Sequence, residues 1–295
     1  MSEAVAERLS PGAVARTRRR IFGHAGFAFG AAALAIVALM AVLAPLLAPW
    51  DPYDQDLSRR LIPPIWQARG TVAHLLGTDG LGRDYLSRLL YGARISLLIG
   101  LSTMVISGVI GSTLGVLAGY FGGRIDMAVS FLLTVRLSLP VILVALAAVA
   151  LVHGSLQVVI LVLGFLLWDR FLVVMRSTTQ QIRHLDYIAA AQAVGASTLR
   201  ILATEVLPNA LNNLIVVATL EMANAILLEA ALSFLGLGVQ PPLPSWGLML
   251  SEAKPFMFFS PWLITIPGTM LFLLVLAINL LGDGVRDLTA PEGRG

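Results

Sequence analysis

The sequence predicts an all-α membrane protein: six transmembrane helices with a two-helix element in the longest cytoplasmic loop. Three observations carry this expectation. Of 295 residues, 57% are hydrophobic and only 13% charged, about half of the ~25% charge of a soluble domain. The apolar residues gather into six runs, near 26–48, 95–119, 128–152, 155–175, 210–235 and 262–282, and roughly 20 such residues cross a ~30 Å hydrocarbon core. Between the fourth and fifth runs lies one long segment, Asp186 to Asn209, that is helix-prone and flanked by charge.

The elements follow in order. Residues 1–25 form a cytoplasmic N-terminal segment whose basic cluster, Arg16, Arg18, Arg19 and Arg20, stands just before the first apolar run. Such a cluster orients the first span. A nucleic-acid arm is the poorer reading, because the formal charge is only +3 and dispersed. The first run, 26–48, is 23 residues, longer than the ~7–15 of a signal-peptide core, and is read as a retained span. Residues 49–94 form an extracytoplasmic loop in which Gly77, Gly80 and Gly82 permit tight turns, while Thr78 and Asp79 can satisfy backbone groups.

The core transmembrane domain is expected over 95–287. Span two carries Gly108, Gly111, Gly115 and Gly119, a small-xxx-small pattern that lets another helix approach closely, within the subunit or from a partner. Arg136 interrupts span three, and Asp169 with Arg170 interrupts span four. A cytoplasmic tail, 288–295, closes the chain. With both termini in the cytoplasm, twelve of the twenty basic residues fall inside and seven outside, with Arg136 within a span, which agrees with the positive-inside rule.

Two constellations are candidates for function. The first is the cytoplasmic loop 176–209. Tyr187 to Val194 is alanine-rich and predicts a short helix, Gly195 a turn with positive φ, and Ser197 a cap for a second helix through Leu207 that Pro208 ends. A helix–turn–helix in a cytoplasmic loop is a rigid peg presented to something else. The second is span five, where Asn209, Asn213, Glu221 and Asn224 share an arc of about 120°. A carboxylate within a span faces a bundle interior or a wet cavity. Glu221 therefore either lines a translocation path with Asn213, Asn224 and Arg136, or is a buried carboxylate held by a neighbouring helix or paired with Arg136. Glu229 lies nearer the outer end, where interfacial water can solvate it, and Trp246 suits the interface.

Other chemistry is absent. There are no cysteines, which removes disulfides and thiolate sites. No G-x-x-x-x-G-K-[ST] phosphate loop occurs, and the sole lysine is Lys254. No G-x-S-x-G elbow is present, and the four histidines are scattered. Neither an enzyme nor a bound cofactor is expected.

Several stretches resemble a known family, the membrane permease subunits of bacterial ATP-binding-cassette importers. The family carries a cytoplasmic loop in which Ala190, Ala191, Gly195, Leu207 and Pro208 stand in register here, with Ala189 replacing the usual glutamate. More specifically, His74-Leu-Leu-Gly-Thr-Asp-Gly-Leu-Gly-Arg-Asp84, Gly119-Tyr-Phe-Gly-Gly-Arg-Ile-Asp126, Leu232-Ser-Phe-Leu-Gly-Leu-Gly-Val-Gln-Pro-Pro242 and Asn279-Leu-Leu-Gly-Asp-Gly-Val-Arg-Asp287 are similar, in order, to the C-type permease of dipeptide, oligopeptide and nickel importers. The resemblance implies half of a translocation path in the bacterial inner membrane. A second homologous permease, two ATPase subunits and an extracytoplasmic solute-binding protein are the implied partners. It also implies that Asp186, Tyr187, Ala190, Ala191, Gly195, Ser197, Leu199, Arg200 and Pro208 form the ATPase coupling element. Peptides are the expected solute, with nickel or another small solute as the alternative. A secondary transporter or channel would lack both the peg and the outer-loop motifs.

Overall fold

Long apolar runs with few breakers resolve into helices. The computed structural model describes residues 25–152 and 154–289. Its helices are α1 Ala25–Leu47, α2 Tyr85–Phe121, α3 Gly123–Leu137, α4 Val141–Val152, α5 Leu156–Leu166, α6 Asp169–Arg183, α7 Asp186–Ala193, α8 Thr198–Ile201, α9 Leu207–Phe234, α10 Trp246–Ala253 and α11 Trp262–Thr289. The basic cluster at Arg16–Arg20 and the last six residues lie outside the described residues. Among the described residues five helices, α5 with α6 and α8 with α9 counted as one each, are long and apolar enough to cross a membrane. A sixth span is reached if the bent pair α3–α4 is one span.

That pair corrects the expectation of one straight span over 128–152. The two helices meet at 82°, and Pro140 lies in the break. Proline has no N–H to give the preceding turn and pushes its predecessor out of the helical region. The break between α5 and α6 is held differently. Arg136 Nε donates to the carbonyl of Leu166, the last residue of α5, at 2.8 Å, and its guanidinium pairs with Asp169 at 3.4 Å. Asp169 sits in the first turn of α6, where the helix dipole favours an acid.

α2 starts ten residues before the apolar run at 95. Asp84 caps it, its carboxylate accepting from Ser87 N at 2.8 Å, so 85–94 are helix rather than outer loop. At 37 residues and ~1.5 Å per residue, α2 is about 55 Å long and overshoots a hydrocarbon core. It forms the axis of the fold, touching α1, α5, α6 and α9.

The glycine stripe is the seam between α2 and α6. A Cβ at Gly111, Gly115 or Gly119 would meet the backbone carbonyls of Trp168, Leu172 and Arg176 at 2.2, 2.7 and 2.7 Å. The close approach read from the sequence is thus made within the subunit. Toward the N-terminal end of α2, Tyr85, Leu89, Ile226, Trp246, Met249 and Leu263 form the main core. Trp246 departs from its expected interfacial place. It is fully buried, its indole donates to Leu89 O at 2.9 Å, and its N–H reaches Ser96 Oγ at 3.2 Å.

Candidate functional site

The peg closes over a small apolar core shared with α2 and α6. Gly195 turns at φ +84°, and Ser197 Oγ accepts from Arg200 N at 3.4 Å, so turn and cap both form where the sequence places them. Under them Ile188, Ile201 and Val206 bury against Tyr120 of α2 and Ile182 of α6. Gln192 Nε2 donates to the Tyr120 hydroxyl at 3.3 Å. The alanines divide: Ala190 is exposed, whereas Ala191 is half-buried against this core. The exposed large apolar side chains of α7, the turn and α8 are Tyr187, Val194 and Leu199. Asp186 and Arg200 are exposed as well.

Pro208 does not end the second helix, contrary to expectation. α8 runs through a π-helical turn, Leu202–Val206, directly into α9, a continuous helical path over Thr198–Phe234. In a straight α-helix the Pro208 ring would collide with the carbonyl four residues earlier. The widened turn lies just before it and opens that space. π-turns of this kind concentrate at functional sites. The consequence is mechanical: the peg's second helix is the N-terminal end of span five.

The polar stripe of span five faces α6. Asn213 Nδ2 donates to Thr178 Oγ1 at 3.0 Å. Glu221 is buried and pairs with Arg170 at 3.0 Å, with Asn224 Nδ2 on its second oxygen at 3.3 Å. The pairing of Glu221 with Arg136, one of the alternatives the sequence left open, is not formed. Arg136 is committed to the α5–α6 break. Glu229 is also corrected. Rather than meeting interfacial water it is fully buried, and its Oε1 accepts from the hydroxyls of Ser233 at 2.7 Å and Ser245 at 2.9 Å. Ser245 caps α10 and Ser233 Oγ accepts from Val239 N at 3.2 Å, so this node pins the 235–245 loop to α9.

A charge quartet, three of its members buried and Glu252 partly exposed, escaped the sequence reading. Asp79 accepts from Arg83 Nε at 2.7 Å and from Arg88. Glu252 of α10 takes Arg83 at 3.0 Å and Arg88 at 2.6 Å. Two acids and two bases balance, as buried charges must. Burial acts to raise the Asp79 pKa, but Arg88, Arg83 and the N–H groups of Leu81 and Arg83 outweigh it and hold the carboxyl below its usual range. Asp79 and Arg83 stand at i, i+4, but Glu252 lies 169 residues from Arg83, and no local signal marks it. Beside the quartet, His74 Nδ1 bonds the Asp84 carboxylate at 2.9 Å and supports the cap of α2.

Comparison with known proteins decides the family. Residues 111–294 match the family described as binding-protein-dependent transport system inner membrane component, and residues 13–64 match the N-terminal TM domain of oligopeptide transport permease C. This chain belongs to the binding-protein-dependent permease family. It is 44% identical over 257 residues to the di/tripeptide transport system permease protein DppC of Pseudomonas aeruginosa, covering 87% of this chain and 85% of that one. Against the dipeptide transport system permease protein DppC of Haemophilus influenzae the identity is 40% over 267 residues, 90% of each chain. A structure of the MetNI methionine ABC transporter in an inward-facing conformation has the same fold, with TM-score 0.55 and 20% identity over 69% of this chain and 97% of that one. The permease is therefore a multi-pass inner-membrane transport component and not an enzyme.

Proposed function

We propose that this permease is one of two homologous subunits forming the path of an ATP-driven peptide importer. Di- or oligopeptides would arrive on an extracytoplasmic binding protein, and two ATPase subunits would dock on the peg from the cytoplasm, where both termini also lie. The observation that carries the reading is the 40–44% identity to dipeptide and di/tripeptide permeases along nearly the whole chain.

The geometry supports a mechanical role for Asp186 to Pro208. The exposed side chains Tyr187, Val194 and Leu199 offer an apolar docking face, while Ile188, Ile201 and Val206 anchor the peg to α2 and α6. A displacement at that face passes through the helical path Thr198–Phe234 into span five without crossing a flexible joint, as a rigid-body movement. Glu221 contributes weakly to the path: it is buried, and only its partner Arg170, 59% exposed, reaches outward.

The test is uptake of a labelled dipeptide by proteoliposomes that hold this chain with its co-expressed partners. Uptake should require ATP, the ATPase subunits and the loaded binding protein. Uptake driven by an ion gradient without ATPases would overturn the reading in favour of a secondary transporter.

A further inference from the structure

A pocket stands at the outer end of α2, away from the peg and from the Glu221 pair. Tyr53, Tyr91, Arg94, Ile95, Leu98 and Pro244 line a cavity of about 320 Å³, toward the small end of the ~300–1,000 Å³ typical of ligand clefts. The Arg94 guanidinium sits 5.7 Å from the centre of the Tyr91 ring, within cation–π range. Tyr53 meets Tyr91 edge-on at 6.5 Å, and the Asp51 carboxylate accepts the Tyr53 N–H at 2.8 Å, which fixes the chain that carries the ring. Burial, then Tyr91 and Asp51, raise the Tyr53 pKa against the opposing pull of Arg94 and Arg88, so its hydroxyl stays a donor.

Arg94 differs from four other arginines of α2, α3 and α6. Arg88, Arg136, Arg170 and Arg176 each hold a carboxylate. Arg94 holds none among the described residues and is exposed. Its place on the helix gives the exposure a direction. Arg94, Leu98, Leu101, Val105 and Val109 are all exposed and fall within about 80° of one α2 face. Val105 and Val109 continue that face into the apolar groove between α2 and α9, where Leu214, Ile215 and Ala218 form the other wall. The cavity thus lies on the exposed α2 face that further along lines the groove against α9.

We propose that this cavity is a transient seat for the C-terminal carboxylate of an entering peptide, with Arg94 as the cation and the Tyr53 and Tyr91 hydroxyls as donors. The inference rests on the peptide-import reading. A guanidinium takes a carboxylate through two parallel hydrogen bonds, and the two rings offer a wall to the adjoining residue. One exposed charge-assisted contact is weak, which suits a path that must release its cargo. The phosphate of an anionic lipid shares this chemistry and is the competing occupant.

The experiment uses the assembled transporter without binding protein, in nanodiscs of zwitterionic lipid. Saturation-transfer NMR compares dialanine with its C-terminal amide. The seat requires transfer to dialanine several-fold above transfer to the amide, lost in Arg94→Gln, partly kept in Arg94→Lys and weakened in Tyr53→Phe. Equal transfer to both peptides in the wild type, or a preference that survives Arg94→Gln, overturns it. So does Arg94-dependent retention of added phosphatidylglycerol, read by native mass spectrometry, with no transfer to dialanine. Binding-protein-dependent dialanine uptake is measured alongside. If the wild type takes up none, the peptide reading itself fails; if it does and Arg94→Gln matches it, only the seat fails.

Discussion

The Arg170 guanidinium of α6 meets the buried Glu221 carboxylate of α9 at 3.0 Å while its own side chain remains 59% exposed. One charge is desolvated and the other is not, so the pair is asymmetric. Removing the acid leaves a half-exposed cation without its partner, whereas removing the base strands a carboxylate in the bundle.

Glu221→Gln is therefore expected to be mild. It keeps the shape and a bond to Asn224, and costs about 1–2 kcal/mol for the lost charge-assisted hydrogen bond. Transport should fall a few-fold while assembly persists. Arg136→Gln acts elsewhere, by freeing the Leu166 carbonyl and Asp169. The two sites share no ion pair, and only the Asp169 carboxylate, partner of Arg136, also acts on Glu221, so a double-mutant cycle on thermal stability should show coupling below about 1 kcal/mol. Coupling beyond 1 kcal/mol would restore the direct Glu221–Arg136 link.

The quartet around Asp79 joins three buried groups, Asp79, Arg83 and Arg88, to a partly exposed Glu252, and predicts a different pattern. Arg88→Met leaves two acids to one base and should destabilise by about 3–5 kcal/mol. Adding Glu252→Met rebalances the charge as an Asp79–Arg83 pair. The double variant should then unfold at a higher temperature in detergent than Arg88→Met alone. A further drop would show that the quartet's charge balance is not what matters.

Acid should release the same cluster. The Asp79 pKa is depressed from 3.8 in the folded chain, so its stabilisation is complete above about pH 4 and is lost as pH falls through the lower folded value. The thermal stability of the wild type should decline below about pH 4. Asp79→Asn should start less stable at pH 7 and flatten that part of the profile. An unchanged acid limb in Asp79→Asn would assign the acid sensitivity to other carboxylates.

How much of this was legible follows the distance over which each residue acts. The Gly195 turn and the Ser197 cap depend on neighbours within a few positions, and both form as read. The glycine stripe of α2 announced a close contact but not its partner, because the α6 backbone that fills it is some sixty residues away. Pro208 was misread because a stop and a π-turn carry the same local signature; what carries the helix through is the packing of Val206 and Ile201 on Tyr120. Glu229 looked interfacial by position along its helix. Ser245, folded back from beyond the 235–245 loop, removes it from water.

The peg separates docking from folding with three variants. Val194 is 85% and Leu199 77% exposed, so Leu199→Asp disturbs no internal packing and should leave insertion and thermal stability unchanged. Gly195→Ala meets open space but must hold φ +84°, costing about 1 kcal/mol in backbone strain alone. That tilts α7 without unfolding the spans. Ala191→Arg drives a charge against Ile188 and Ile201 and should melt the peg itself, which limited proteolysis of the 183–200 region would report. On ATP hydrolysis stimulated by loaded binding protein, Leu199→Asp should lose at least ten-fold, Gly195→Ala a few-fold and Ala191→Arg nearly everything. The diagnostic case is Leu199→Asp, because it alone combines native stability with lost coupling. If that variant purifies with its ATPases and is stimulated like the wild type, the exposed face of the peg is not where they dock.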